Sequence, residues 1–184
     1  MQNQLQLTDG SIVLRPYRLS DVDRLYEAVR ESIAGLSLWL PWCHLGYSIE
    51  ESRTWIESRA EVWAKGTQYD FTINDPRDGS FLGGCGLNQV NRAIAFANLG
   101  YWVRTSRTRQ GIATAAALVL ARFGFNELKL RHIEIVAAAN NIASQRVAQR
   151  IGAKREEILP DPITVRDRVY DAVAFSLTPA DLTR

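Results

Sequence analysis

Apolar residues recur at two different spacings in the first part of the chain, and each spacing predicts one kind of element. The stretch "SIVLRPY" is rich in apolar residues and is stopped by a proline, so it predicts a strand. In "LSDVDRLYEAVRESI", apolar residues follow Val22 at i+3, i+4 and i+7, which predicts an amphipathic helix. Ser20 and Asp23 resemble a capping box at the start of this helix.

A second helix is predicted in "SIEESRTWIESRAEVWAKG", which opens on another box-like pair, Ser48 and Glu51, and ends at Gly66. Trp55 and Trp63 have helical spacing, so we expect both in the core. Three strands follow, in "QYDFTI", "SFLGGCGL" and "AIAFANLGYWV", and turn formers separate the first two. This order predicts an antiparallel meander.

The second half of the chain alternates helices and strands. Apolar residues from Ile112 to Phe123 share a helical stripe, and "HIEIVAA" predicts a strand. A short helix in "NIASQRVAQRIGA" closes at Gly152, and "RVYDAVAFSL" predicts the last strand, with a further short strand near "AKREEIL". The order β-α-α-β-β-β-α-β-α-β predicts a mixed α/β domain with an antiparallel first half and a strand–helix–strand unit in the second.

The composition is that of one folded domain over residues 1–184. Hydrophobic residues make up 46% of the chain, which is enough for a sizeable core. The net charge of +2 is too small for the basic face that nucleic-acid binding needs, although it is compatible with a small anionic ligand. No apolar run is long enough to span a membrane, and the first ten residues lack a secretory signal. We therefore expect a cytoplasmic protein that binds neither nucleic acid nor membrane.

The cysteines and histidines indicate no metal or redox site. Cys43 and Cys85 are not closely spaced, so we expect two reduced thiols, with Cys85 inside a strand. His44 and His132 form no constellation of metal ligands with them, and no metal is expected.

The stretch "RTRQGIATAAA", from Arg107 to Ala117, follows a predicted strand and opens a helix rich in small residues. The first turn of a helix has unpaired backbone N–H groups and a partial positive charge, and phosphate can satisfy both. Gly111 and Ala113 leave these amides uncovered, and nearby arginines add charge. The alternative is an ordinary helix start, with alanines present for their helix propensity. The stretch matches neither the dinucleotide nor the nucleoside triphosphate motif.

A second segment, "AANNIASQRVAQRIGAKRE", follows about one strand later. Together the two segments resemble the GCN5-related N-acetyltransferase (GNAT) superfamily, in which "V-x-x-x-x-[QR]-x-x-G-x-[GA]" binds the pyrophosphate of coenzyme A. Val103, Gly111 and Ala113 match that pattern, and Thr108 stands at the [QR] position between two arginines. A later family pattern, "N-x-x-S…G-[FA]", flanks the pantetheine and the thiol. Here its matching residues are Asn141, Ser144, Gly152 and Ala153.

Further stretches, "LRPYRLSD", "WLPW", "NLGYWV" and "ASQRVAQRIGA", look like the RimJ/RimL type, which acetylates the N-terminal α-amine of ribosomal proteins. The resemblance extends from about Ile12 to Leu177. It implies the GNAT fold, a mostly antiparallel sheet with a splayed central strand pair and flanking helices, and acetyl-CoA as cofactor. The residues that it assigns to the coenzyme are Leu99, Tyr101, Trp102, Val103, Arg104, Thr108, Arg109, Gln110, Gly111, Ile112, Ala113, Thr114, Asn140, Asn141 and Ser144.

The resemblance also implies how acetyl transfer takes place. A bulge in the family's strand that corresponds to "NLGYWV" frees backbone N–H groups for the oxyanion, and we expect Gly100 to allow it. Ser144 is the candidate for protonating the departing thiolate, and the alternative is a serine that bonds only to nearby backbone. Many relatives carry a glutamate as general base where this chain has Asn98. Glu134 is the candidate catalytic base and Asp70 another, unless they face solvent or pair with arginine.

The missing glutamate favours an acceptor that deprotonates easily. Removing a proton at pH 7 costs roughly 1.4 kcal/mol for an α-amine and roughly 4.6 kcal/mol for a lysine. The acceptor is therefore expected to be a protein or peptide N-terminus. The alternatives are a small amine (a polyamine, amino acid or aminoglycoside) or a non-catalytic acyl-CoA sensor. Dimers are common among the relatives, so a homodimer stays open. The candidate acceptor-binding residues are Trp39, Trp42 and Tyr47, in an aromatic loop, together with Asp70.

Overall fold

A computed structural model describes residues 5–165 and 168–182, with the backbone alone at 157–162. In chain order the elements are β1 (Leu7–Thr8), β2 (Val13–Pro16), α1 (Val22–Leu36), α2 (Ile49–Lys65), β3 (Tyr69–Asn74), β4 (Phe81–Asn91), β5 (Phe96–Val103), α3 (Ile112–Asn126), β6 (His132–Ala138), α4 (Ile142–Arg150), β7 (Lys154–Val165) and β8 (Arg168–Leu177). Short 3-10 turns lie at Leu19–Asp21, Thr105–Arg107 and Pro179–Asp181.

The described strands form one sheet in the order β1-β2-β3-β4-β5-β6-β8-β7. All neighbours are antiparallel except β5 and β6, which are parallel. The predicted mixed α/β fold with an antiparallel first half is therefore confirmed. Two strands differ from the prediction: β1 has only two residues, too few to give a sequence pattern, and β7 has twelve rather than a short segment.

The central pair, β5 and β6, separates partway along its length. The two strands pair only from Phe96 with His132 to Asn98 with Glu134. Beyond that point β5 continues to Val103 along β4, and β6 continues to Ala138 along β8. The predicted splay is thus present, and it opens a gap in the middle of the sheet.

A bulge lies next to this gap, but on a different strand from the one predicted. The register between β4 and β5 runs without a shift from Gly83 to Asn88, and Gly100 lies inside that regular stretch. The extra residue is in β4, between Asn88 and Asn91, where Gln89 has a positive φ of 52°. The sequence around Gln89 contains no glycine to signal a bulge, because a glutamine takes the left-handed conformation.

Two hydrophobic clusters pack against the sheet. The larger one joins α3 to the middle strands, and the alanines of α3, such as Ala116 and Ala117, are fully buried in it. The smaller one joins α1 and α2 to Phe81 of β4. Trp63 packs its ring 5.1 Å from that of Phe71, as expected for a core residue.

Of the two predicted capping boxes, the one at the start of α2 is present and the one at the start of α1 is not. Ser48 and Glu51 exchange hydrogen bonds at the start of α2, and Gly66 ends the helix with a φ of 68°, as predicted. The box at Ser20 and Asp23 is not the one used. Instead Asp21, which is buried, accepts a bond of 2.9 Å from the backbone N–H of Arg18 in the 3-10 turn before α1.

Both cysteines are buried thiols outside any disulfide among the described residues, and Cys85 lies in β4, as predicted. Within the described residues no group of three or more His, Cys, Asp or Glu side chains is placed to hold a metal ion. None of the helices in the described part of the chain combines the length and hydrophobicity needed to cross a membrane.

Candidate functional site

The turn before α3 has the open geometry that an anion needs. Gly111 is the N-cap with a φ of 80°, and no side chain caps the helix. The amide of Ala115 makes the first backbone bond, 3.0 Å to the carbonyl of Gly111, so the amides of Ile112, Ala113 and Thr114 have no partner in the helix. A Cβ added to Gly111 would find nothing within 4 Å, so a ligand can approach this backbone.

Side chains of the same loop form hydrogen bonds to its backbone carbonyls. Thr108 donates a bond of 2.9 Å to the carbonyl of Thr105, and the Gln110 amide lies 3.5 Å from the carbonyl of Ser106. Thr108 therefore stabilises the turn at the position where the family pattern has a longer residue. Arg109 is exposed and takes a φ of 62°, and it has no ion pair within the described residues. Its charge is available to an anion at the helix start.

The side chain of Arg104, one of the predicted coenzyme residues, lies against α1. Its guanidinium pairs with Glu31 of α1, with Nε 2.9 Å from a carboxylate oxygen, so it is directed at α1. The other oxygen of Glu31 accepts 2.8 Å from the backbone N–H of Ser106, and Ser32 accepts 2.9 Å from that of Thr105. The bond from Arg104 lowers the pKa of Glu31 to about 2. Together, Glu31 and Ser32 fix the turn that leads into the open helix start.

The gap between β5 and β6 leaves backbone amides without strand partners. The amide of Arg104 bonds 2.9 Å to the carbonyl of Leu82, next to β4. Because successive amides of a strand point in opposite directions, those of Tyr101 and Val103 point away from β4 and into the gap, whereas that of Leu99 lies at the last rung shared with β6. The resemblance assigns all three residues to the coenzyme, and that assignment stays a prediction.

One pair of side chains crosses the open end of this gap. The Tyr101 hydroxyl donates 2.8 Å to the backbone carbonyl of Ser144, and the two hydroxyl oxygens are 3.1 Å apart. Asn141 is the N-cap of α4, and its side-chain oxygen accepts 3.1 Å from the amide of Ser144. Asn140 is exposed in the preceding turn. Burial raises the pKa of Tyr101 to about 12, although its bond to Ser144 opposes the rise.

A cavity of about 680 Å³ reaches this gap from the side of α1 and α2. Its volume is within the range of small-ligand sites, roughly 300–1,000 Å³. The lining combines aromatic rings, backbone of the middle strands and two carboxylates. The main lining residues are Tyr17, Trp42, Tyr47, Glu51, Trp55, Gln68, Asp70, Gly84, Gly86, Asn88, Asn98, Leu99, Gly100, Tyr101, Trp102 and Val136.

Glycines on neighbouring strands form the floor of the cavity. Gly86 and Gly100 are register partners on β4 and β5, and Gly86 also pairs with Asp70 on β3. A Cβ at Gly86 would lie 2.5 Å from an Asp70 carboxylate oxygen, and one at Gly84 would lie 2.3 Å from the Tyr17 hydroxyl. Because Gly86 has no side chain, the Asp70 carboxylate can lie over β4, one strand away from the gap.

Asp70 is the buried carboxylate of this cavity. It is 9% exposed and accepts one hydrogen bond of 2.9 Å from Arg59 and another of 3.1 Å from Gln68. Burial raises the pKa of Asp70 above the usual aspartate range, although Arg59 and Gln68 oppose the rise. Asp70 therefore pairs with an arginine, which is the alternative that the sequence left open, and it also faces the cavity; its role as a base stays a prediction.

The structure brings some predicted acceptor residues together and leaves others out. Trp42 and Tyr47 line the cavity, with their ring centroids 6.0 Å apart. Trp39 does not; its ring packs 5.6 Å from that of Tyr170 on β8, so the cavity gives its predicted role no support. Glu134, the predicted catalytic base, pairs with Asn98 at the closed end of the gap and is also outside the cavity lining, so no contact there supports that role.

Three aromatic residues of the cavity were missed or assigned elsewhere. Trp55 packs against the smaller hydrophobic cluster, as expected, but its ring also lines the cavity, with the Arg59 guanidinium 4.5 Å from its centroid. Tyr17 packs edge-on against Trp55 at 4.7 Å. Trp102 was assigned to the coenzyme, yet its ring also faces the cavity, 6.1 Å from Trp42. The spacing of Glu51, Trp55 and Arg59 at i, i+4 and i+8 was the available signal, because a tryptophan between two charged residues on one helical stripe is an unusual core position.

Comparisons with known proteins agree with this arrangement. The family model of the acetyltransferase (GNAT) domain matches residues 11–154. The chain is 30% identical over 171 residues to a Bacillus subtilis protein named as a candidate ribosomal N-acetyltransferase, YdaF, covering 90% of each. It is 25% identical over 163 residues to the ribosomal-protein-serine acetyltransferase of Escherichia coli K12, covering 89% of each. Mycobacterium smegmatis RimJ, solved with a CoA disulfide, superposes with a TM-score of 0.85 at 25% identity, covering 98% of this chain and 88% of that one.

The matched residues include the strands that separate and the open helix start described above. GNAT acetyltransferases use acetyl-CoA as the acetyl donor. The relatives with RimJ/RimL-type names are at modest identity, and they agree with the resemblance seen in the sequence. The chain belongs to the GNAT acetyltransferase family and is an acyltransferase enzyme of the N-acetyltransferase type.

Proposed function

We propose that this protein transfers the acetyl group of acetyl-CoA to the N-terminal α-amine of a protein or peptide. The observation that carries the proposal is that two sites meet at one gap. The open helix start at Gly111 follows β5 after a short loop, and the cavity reaches the same strand from the side of α1 and α2. The residues present fit the coenzyme, since bare amides suit a pyrophosphate and unpaired strand amides suit a pantetheine arm and thioester oxygen.

The cavity provides a path for the acceptor's proton. Acetyl-CoA supplies the thioester carbonyl that the amine attacks. The space above Gly100 is open, since a Cβ there would have only the Asn88 side chain within 4 Å, at 3.8 Å. Gly100 and its register partner Gly86, over which Asp70 lies, are about 5 Å apart. This space has room for a water through which an amine at the gap could pass its proton to the Asp70 carboxylate. A raised pKa makes Asp70 a stronger proton acceptor than an ordinary aspartate.

Several features favour an α-amine over a lysine. Asp70 reaches the amine only through water, and an α-amine needs roughly 1.4 kcal/mol to lose its proton at pH 7 against roughly 4.6 kcal/mol for lysine. The cavity walls are aromatic, which suits the side chain of a first residue beside its amine. The names of the relatives, which refer to ribosomal proteins, support the same class of acceptor.

A small cationic amine is the second candidate, because the lining contains the carboxylates of Asp70 and Glu51. The two acceptors are separated by a thiol-release assay. A peptide with a free N-terminus is compared with its N-blocked lysine counterpart, a polyamine, an amino acid and an aminoglycoside. We expect the highest kcat/KM with the free N-terminus. Faster turnover of the blocked lysine peptide or a polyamine would reverse the assignment, and no turnover with any amine would favour a sensor.

A matched pair of variants tests whether the cavity holds the acceptor. Trp42 and Trp39 belong to the same loop, but only Trp42 lines the cavity. Trp42 is 43% exposed, so a bound peptide can cover its ring. We expect Trp42→Ala to raise KM for the peptide about tenfold, since an aromatic contact covered on binding contributes on the order of 1–3 kcal/mol. Trp39→Ala is the control and should leave that KM within about twofold. Equal effects of the two substitutions would place the acceptor elsewhere.

A further inference from the structure

Two side chains bring hydrogen-bond donors to one point on the floor of the cavity. Tyr17 follows β2 directly, and Trp102 on β5 is the register partner of Gly84 on β4. A Cβ added to Gly84 would have both the Tyr17 hydroxyl oxygen and the Trp102 indole nitrogen within 2.8 Å. These two atoms are therefore less than two hydrogen-bond lengths apart, and one oxygen placed between them can accept from both.

Neither member of this donor pair, Tyr17 and Trp102, is used within the fold. Among the described residues, the Tyr17 hydroxyl and the Trp102 indole N–H have no hydrogen-bond partner, although both residues line the cavity. An indole N–H can only donate. Burial and the nearby Asp70 carboxylate raise the pKa of Tyr17 well above its usual value, so the phenol keeps its proton and can donate as well. The point above Gly84 is therefore a site for a hydrogen-bond acceptor.

A hydrogen-bond acceptor lies further along the same strand. The Asp70 carboxylate lies over Gly86, which faces the same side of β4 as Gly84 and is about 7 Å from it. A ligand group with both an acceptor oxygen and a donor N–H matches this order of groups, and a carboxamide has both. A carboxylate has no donor, and it would also meet the like charges of Asp70 and Glu51 in the cavity lining.

The place of the donor pair relative to the gap sets how far the ligand must reach. Tyr101 has the first amide of β5 that points into the gap, and its register partner Cys85 follows Gly84 on β4. Gly84 and Tyr101 are therefore diagonal neighbours, about 6 Å apart. A serine hydroxyl is too close to its own amine nitrogen to cover that distance from an amine at the gap. The side-chain oxygen of an asparagine or glutamine lies further out.

We propose that the donor pair is a specificity site that accepts the side-chain carboxamide of an asparagine or glutamine at the first position of the acceptor. The inference deepens the proposed function and rests on it, because it names the first residue of the N-terminal acceptor. A bound first residue without such an oxygen covers both donors and leaves them unpaired, which weakens binding. Selection for the carboxamide follows from that cost.

The test is a thiol-release assay with peptides that differ only in their first residue. Asparagine, aspartate and leucine have nearly the same shape, so the three peptides separate the effect of the amide from those of charge and size. We expect kcat/KM with asparagine to exceed that with leucine about ten- to hundredfold, as leaving a buried donor unpaired implies. It should also exceed the values with aspartate and with serine.

Two variants remove one donor each. Tyr17→Phe keeps the ring that packs 4.7 Å from Trp55, and Trp102→Phe keeps an aromatic ring on β5. Each should reduce the ratio of kcat/KM for asparagine over leucine about fivefold, because only asparagine uses the lost donor. Tyr26→Phe is the matched control, since it removes a phenol hydroxyl on α1 outside the cavity lining, and it should leave the ratio within about twofold.

Several results would overturn the inference. In the wild type these are equal kcat/KM for asparagine and leucine, or a value for aspartate or serine as high as that for asparagine. An unchanged ratio in both Tyr17→Phe and Trp102→Phe would also remove the donor pair from recognition. Each of these results, with N-terminal peptides still acetylated, contradicts this inference alone. Failure to acetylate any peptide with a free N-terminus would instead contradict the proposed function.

Discussion

Glu31 of α1 offers a direct way to test how the coenzyme turn is held. Its carboxylate bonds to Arg104 and to the backbone N–H of Ser106, which come directly before the loop around Gly111. Glu31→Gln keeps the shape of the side chain but removes its charge. It also replaces one carboxylate oxygen with an NH2 group, which cannot accept a hydrogen bond from Arg104 or from the Ser106 N–H. Hydrogen bonds to charged groups are worth about 1.5–3 kcal/mol. The two side chains are 29% and 24% exposed, so we reduce this to about 1–2 kcal/mol.

This loss loosens the turn before the coenzyme binds, so acetyl-CoA must order it. We expect KM for acetyl-CoA to rise about 5- to 30-fold, with kcat within about twofold, because 1–2 kcal/mol corresponds to that factor. Steady-state thiol release at varied acetyl-CoA and saturating peptide measures both constants. Glu61→Gln is the control, since Glu61 pairs with Lys65 on the exposed face of α2. An unchanged KM, even with a lower melting temperature, would refute a positioning role for Glu31.

The same carboxylate predicts a sign for the effect of acid. Arg104 lowers the pKa of Glu31 to about 2, below its ordinary value of 4.5. The contribution of this pair to stability is therefore complete above about pH 4.5 and is lost as pH falls towards 2. Thermal melts of wild type and Glu31→Gln should differ by the same amount at pH 6 and pH 8, and the difference should shrink below about pH 4.5 and be lost towards pH 2. A difference that stays the same from pH 6 down to pH 2 would contradict the ion pair.

Three further substitutions examine the cavity. Asp70→Asn should lower kcat at saturating peptide and remove the fall of kcat at acid pH, because Asp70 accepts a proton only above its pKa, which burial raises. A variant whose kcat depends on pH as in the wild type would exclude Asp70 as the proton acceptor. Gly86→Ala should destabilise the fold by about 1–3 kcal/mol in a denaturant titration, since its Cβ would meet Asp70 at 2.5 Å; unchanged stability would mean that Asp70 does not lie over β4. In Gly100→Ala the added Cβ would lie 3.8 Å from the Asn88 side chain, so the variant should fold normally. The new methyl group should take up space at the floor of the cavity and raise the KM for the peptide. An unchanged KM would place the acceptor away from Gly100.

Local patterns were sufficient to predict most elements of this fold. The strand "RVYDAVAFSL" is β8 to the residue, and the boundaries of β6 and the box at Ser48 also agree. These features depend on neighbours in sequence, such as alternation along a strand or a cap three residues away. The splay between β5 and β6 was expected from the family resemblance and not from periodicity.

Long-range contacts account for what the sequence did not predict. The resemblance assigns Arg104 to the coenzyme, whereas the partner of its guanidinium, Glu31, lies 73 residues away in the chain. Asp70 alternates with apolar neighbours in β3, and such alternation cannot tell solvent from a cavity between layers. The cavity exists because Gly86 and Gly100 become neighbours only when β4 pairs with β5.

The most direct measurement is a crystal structure of the protein with a bisubstrate conjugate, in which CoA is linked through an acetyl bridge to the N-terminal nitrogen of a peptide. We predict that the pyrophosphate lies on the amides at the start of α3, next to Gly111, and that the bridge passes between β5 and β6 beyond Asn98. The first peptide residue should lie between Trp42 and Asp70. A conjugate whose pyrophosphate avoids the turn at Gly111, or whose peptide leaves this cavity empty, would contradict the proposed function.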